Sequence, residues 1–136
     1  MVKPNVQELA EAVGRPLSTV GDALKAAEEL RGRGAQSVLA SLGADGQLLV
    51  EASGAYFATA PVAVVRSNVG AGDASLAGFL AAGGRGPKAL ASAVAHGAAA
   101  VQLAGSLMPA PADLDPASVV LSGDVPLDRA LTEPAL

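Results

Sequence analysis

The chain of 136 residues contains no cysteine and no tryptophan. Without thiols it can build neither a disulfide framework nor a thiolate zinc site, and it has no cysteine nucleophile, which fits a cytosolic protein. Aromatic side chains make up only 2% of the sequence, and positive charge is not in excess: 9 Lys and Arg stand against 13 Asp and Glu, a formal net charge of −4. That balance argues against the phosphate-backbone footprint of a nucleic-acid binder, although backbone N–H groups could still make a local anion site.

Long apolar runs are missing too. The opening MVKPNVQELAEAVG has neither the basic nor the apolar region of a secretion signal. The Ala-rich stretches that follow are interrupted by Gly or His, and none offers a spanning segment of ~20 residues. What is present, 51% hydrophobic and 16% charged residues, is the composition of an ordinary globular protein rather than a disordered one. We therefore expect one modest, soluble, cytoplasmic domain with no membrane or nucleic-acid partner.

The pattern along the chain is that of an α/β fold. Asn5 can cap a short helix that carries Glu8, Leu9, Glu11 and Val13 and stops at Gly14. Ser18 and Thr19 can cap a second helix, with Val20, Leu24, Ala27 and Leu30 at helical spacing and Gly32 and Gly34 at its end. Residues 37–42, SVLASL, read as a strand buried on both faces, and Gly43 to Gly46 as a turn. Residues 47–51 and 55–59 read as two short strands joined through Ser53-Gly54. Residues 61–66 should be extended, 74–82 and 88–107 helical, and a short helix or strand is expected around 117–121. Helices alternating with buried strands, plus a hairpin, imply a sheet with some antiparallel pairing and helices packed on it.

The junction Asn68-Val69-Gly70-Ala71-Gly72-Asp73 concentrates the chemistry. A helix that starts after a glycine-rich turn aims several backbone N–H groups, and about half a positive charge of its dipole, at one spot. Gly70 and Gly72 permit positive φ and place no Cβ in the way of a ligand oxygen. An acid beside an anion site repels the anion unless it has its own task, and Asp73 could serve as a general base in phosphoryl transfer. The plainer alternative is a strand-to-helix turn with Asp73 as cap or first-turn acid.

NVGAGD, together with KPNVQEL at 3–9 and SLGADG at 41–46, resembles the ribokinase/phosphofructokinase-B family of carbohydrate kinases, and most of all its 1-phosphofructokinase branch. The resemblance covers nearly the whole chain but only the C-terminal half of such a kinase. It implies a ribokinase-like layered αβα fold, here the nucleotide-binding portion as a single partial domain over 1–136, without the N-terminal sugar-binding half and lid. It implies ATP and Mg²⁺ as cofactors and a small phosphosugar as acceptor.

By position, the resemblance makes Asp73 the catalytic base and Gly70, Ala71 and Gly72 the anion hole. It makes Ser41 and Gly43 part of the nucleotide-phosphate loop and sets Lys3 near those phosphates. Asn5 and Glu8 match a motif that places Mg²⁺, here through metal-bound water. Asn68 receives no role. Plainer readings stand beside these: a cap and a first-turn acid for Asn5 and Glu8, a solvated lysine for Lys3, hairpin chemistry for Asp45-Gly46, and a packed helical side chain for His96.

The reaction so implied converts fructose 1-phosphate to fructose 1,6-bisphosphate, weakly or not at all in the isolated half. The alternatives are a related acceptor such as tagatose 6-phosphate, and a nucleotide-binding fragment without catalysis. The partners to expect are a second copy in a homo-oligomer, or a complementing N-terminal half from another polypeptide that would supply the missing wall.

Overall fold

The computed structural model describes residues 1–62, 70–103 and 108–136. The expected extended stretch 61–66, the loop entry at Asn68 and the end of the last expected helix fall partly or wholly outside them. Two compact units result, one formed by Met1–Phe57 with Ser122–Leu136, the other by Ala58–Leu121.

The first unit begins with residues 2–5 running parallel to strand β2 (Ser37–Ser41), joined by the bridges Val2 to Val38 and Asn5 to Ser41. Asn5 then caps helix α1 (Val6–Val13), which ends at Gly14 in the left-handed region, φ 69°, where glycine has no Cβ to clash. Strand β1 (Leu17–Thr19) leads directly into helix α2 (Val20–Gly32). At that junction the Asp22 N–H donates to Thr19 Oγ1 at 3.1 Å, while Asp22 Oδ2 accepts from the backbone N–H groups of Ser18 at 2.9 Å and Thr19 at 3.2 Å. The Ser18 N–H, more than the Thr19 groups, holds the Asp22 carboxyl below the usual aspartate range, against a smaller opposing effect of desolvation.

Strand β2 pairs antiparallel with β3 (Gln47–Glu51), Leu39 opposite Leu49 and Val38 opposite Val50. Strand β4 (Gly54–Thr59) follows, and the larger sheet runs in the order β2-β3-β4-β5, with β5 spanning Val120–Ser122. The two-faced burial expected for β2 is observed: Val38, Leu39 and Ala40 are all fully buried. One face meets α1 and α2 through Leu9, Val20, Ala23 and Ala27, where small residues on α2 let the helix approach closely.

Two strands escaped sequence reading. Strand β6 (Ala130–Ala135) returns to pair antiparallel with β1, burying Leu131 and Ala135. A proline at 134 and a partner more than a hundred residues away hide it from any local pattern; proline is tolerated at a sheet edge.

The second unit holds helices α3 (Ala71–Ala81) and α4 (Gly86–Val101). Helix α3 starts three residues earlier than expected and α4 two, so Asp73 lies inside the first turn of α3. The helices approach until a Cβ on Gly78 would lie 2.9 Å from the Ser92 carbonyl oxygen and overlap the His96 ring. Ser92 Oγ donates to the Gly78 carbonyl at 2.8 Å. Single 3-10 turns at Pro111–Asp113 and Pro116–Ser118 precede β5, so the tail expected as helix or strand is a turn followed by a strand. Among the described residues no helix is long and apolar enough to cross a membrane.

Candidate functional site

In the first unit the strand-to-helix junction at Asn5 and the end of β2 at Ser41 are neighbours. The Val2 N–H donates to Ser37 O at 3.0 Å, Leu39 N–H to Val2 O at 2.9 Å and Ser41 N–H to Pro4 O at 3.0 Å. This ladder brings Lys3, Asn5 and Ser41 together although more than thirty residues separate them in sequence. Gly43 follows in the loop to β3, at φ 61°, a left-handed position that favours glycine.

Asn5 and Glu8 form a reciprocal cap. The Glu8 N–H donates to Asn5 Oδ1 at 2.8 Å, and the Asn5 N–H donates to Glu8 Oε1 at 3.1 Å. The plainer reading of these residues is therefore realised, and it leaves one Glu8 carboxylate oxygen outside the cap. Among the described residues no group of three His, Cys, Asp or Glu side chains could hold a metal ion. The donor set here suits a hard cation that keeps most of its water and takes other ligands from a nucleotide's phosphates, and not a closed protein cage. Lys3 and Glu8 line an open cleft of about 460 Å³ with Pro4, Leu30 and Arg33 among its other walls.

In the second unit Gly70, at φ 81°, is the N-cap of α3 and provides no side-chain cap. The first backbone bond of the helix runs from Ala74 N–H to Gly70 O at 2.9 Å. The N–H groups of Ala71, Gly72 and Asp73 precede that bond and so lie outside the helix's own ladder. Gly72 sits within the helix, so its contribution is the missing Cβ and not the positive φ expected for it. Asp73 is exposed at the third helical position, and because Gly70 has no side chain, the reciprocal cap seen at Asn5 and Thr19 cannot form. The result is a short arc of N–H donors beside an accessible carboxylate. That pairing can hold an anionic group and take a proton next to it.

His96 is half-buried on α4, and its Nδ1 donates to the Ser92 carbonyl at 2.8 Å. A carbonyl only accepts, so Nδ1 carries the proton; the side chain packs against α3, as its place in an Ala-rich helix led us to expect. Beside the same helix lies a cleft of about 390 Å³ lined by Pro61, Val62, Ala95, Ala98, Gln102, Asp113 and others. Its walls come from segments scattered in sequence, so no local pattern signals it.

The family model for pfkB carbohydrate kinases matches residues 1–113. The chain belongs to the pfkB family of carbohydrate kinases. The match stops short of the last 23 residues. Among pfkB relatives, the 1-phosphofructokinase of Haloferax volcanii is 56% identical over 80 residues, which is 59% of this chain and 26% of that protein. The 1-phosphofructokinase of Escherichia coli is 45% identical over 80 residues, with the same coverage of 59% and 26%. The crystal structure of Escherichia coli phosphofructokinase-2 with substrates and products superposes with a TM-score of 0.75 at 33% identity, covering 82% of this chain and 38% of that one. The fold is thus a ribokinase-like α/β arrangement of the pfkB type, and the matched segment spans about a quarter of the curated relatives.

Proposed function

We propose that this chain is the nucleotide-binding part of a sugar-phosphate kinase, working in the cytoplasm, that transfers the γ-phosphoryl group of ATP to a phosphosugar hydroxyl. Fructose 1-phosphate, giving fructose 1,6-bisphosphate, is the first acceptor to test, since the relatives above are named 1-phosphofructokinase. The observation that carries the proposal is the start of α3, where Gly70 gives no side-chain cap and the first-turn N–H groups stand beside an accessible Asp73.

In this reading the N–H groups of Ala71, Gly72 and Asp73 hold the transferred group as its charge grows, with Gly70 and Gly72 keeping its path clear. The Asp73 carboxylate accepts the acceptor hydroxyl's proton. Ser41 and Gly43 receive the nucleotide phosphates, with the Lys3 ammonium near them. Asn5 and Glu8 would hold Mg²⁺ through its water, and the ion, when bound with ATP, neutralises phosphate charge. No sugar contact is assigned to this chain, whose matched segment covers about a quarter of the curated relatives.

Titration of the chain with ATP in the presence of Mg²⁺ tests the nucleotide half directly. We expect binding that EDTA weakens and that Asn5→Ala/Glu8→Ala weakens in the presence of Mg²⁺; binding untouched by that double change would remove the metal assignment. Transfer to fructose 1-phosphate is read separately, in a chain completed by the remaining part of a pfkB kinase. There Asp73→Asn should lower kcat by about 10²- to 10⁴-fold with little change in nucleotide affinity. If Asp73→Asn retained full turnover, another base would have to be found.

A further inference from the structure

The loop that carries Gly43 does not stand alone. Asp45, two residues on, looks in sequence like ordinary turn chemistry, yet its carboxylate is used 87 residues away: the Thr132 N–H donates to Oδ2 at 2.7 Å and Thr132 Oγ1 donates to Oδ1 at 2.8 Å. Within the loop the backbone makes its own closures, Leu42 N–H to Gly46 O at 2.9 Å and Asp45 N–H to Leu42 O at 3.2 Å. The Asp45 side chain is therefore free to tie the whole turn to strand β6. The next residue of β6, Glu133, lies directly over the bare backbone of Gly43: a Cβ there would stand 3.4 Å from Glu133 Oε2. Strand β6 thus contributes both a clamp on the loop and a negative charge beside the bare backbone of Gly43.

We propose that β6 is a working wall of the nucleotide-phosphate loop. Thr132 acts as a positioning residue, fixing the Gly43 turn through Asp45, and Glu133 disfavours polyphosphate whose charge is not neutralised. The proposal rests on the reading of Ser41 and Gly43 as phosphate contacts given above. Its physical content is that the two adjacent side chains act with opposite sign. A fixed loop keeps its N–H groups aimed, which favours phosphate. A carboxylate a few ångströms from an arriving anion opposes it, and the opposition is greatest for nucleotide without a divalent cation and at low ionic strength.

The test is calorimetric titration of the full chain at low salt, with ATP plus Mg²⁺ and with ATP plus EDTA, alongside thermal melting of each variant. Thr132→Val should weaken ATP–Mg²⁺ binding about 5-fold, and Thr132→Ser, which keeps the hydroxyl, should restore it. Asp45→Asn perturbs the same clamp from the other side and should repeat the loss even if Thr132→Val folds poorly. Glu133→Gln should tighten ATP, about 3-fold in EDTA and less with Mg²⁺, and the gain should shrink as salt rises. A strand with a merely structural role would move both affinities in the same direction through folding, or move neither. Either of those results in a chain that does bind nucleotide overturns the inference and leaves the proposed function standing. A wild-type chain that binds no nucleotide overturns the proposed function itself.

Discussion

Helices α1 and α3 both begin with an acid at their third position, Glu8 in one and Asp73 in the other, yet the two starts do opposite things. At α1 the residue before the helix is Asn5, whose side chain meets the Glu8 N–H while Glu8 reaches back to the Asn5 N–H. Helix α2 repeats the device with Thr19 and Asp22. Each closes its own positive end, and one carboxylate oxygen of the acid is engaged in doing so. At α3 the preceding residue is Gly70, which has nothing to cap with, so the donors and the acid are both left over. One residue before the helix decides whether a first-turn carboxylate is a fastener or is left out of any reciprocal cap.

That contrast can be broken most severely at Gly70. Its φ of 81° suits glycine, so Gly70→Val should destabilise the fold by about 2 kcal/mol, read by denaturant unfolding, and should abolish nucleotide-dependent protection of α3. Next in size, Thr19→Ala should cost about 1 kcal/mol, because the Asp22 N–H loses its acceptor.

A smaller effect follows from pH. Because the folded Asp22 titrates below its unfolded value of about 3.9, its contribution is complete above that pH and is lost as pH falls through the lower folded value. Asp22→Asn should therefore flatten the acid limb of the stability profile in that window and leave the limb above pH 5 unchanged. Smallest of all, Asp73→Asn should change stability by less than about 0.5 kcal/mol, since no reciprocal cap depends on it. A loss of 1 kcal/mol or more there would return Asp73 to the fasteners.

These starts were legible in sequence because caps and glycines act within four residues. Asn5, Gly14, Thr19 and Gly32 bracket α1 and α2 closely, and the nearly all-apolar SVLASL run betrayed a strand covered on both sides. The start of α3 was misplaced by three residues because Gly72 looks like a turn residue while in fact it is helical, a position where its lack of a side chain matters more than its flexibility. Strands β1 and β6 were illegible for a different reason. LST and ALTEPA have little strand character alone, and their pairing joins the two ends of the sequence. The Asp45–Thr132 clamp shares that limitation, since nothing within a local window signals a partner 87 residues distant.

The contact between Gly78 and the Ser92–His96 edge of α4 has a consequence for how the start of α3 is aimed. Where helices meet through long side chains, rotamer changes can absorb a slide or a roll of one helix on the other. Here the contact is made by backbone, a hydroxyl and a ring already tied to its own helix. Little in that joint can flex, so α3 is indexed against α4 like a key against a stop, and its open end inherits the accuracy of the joint.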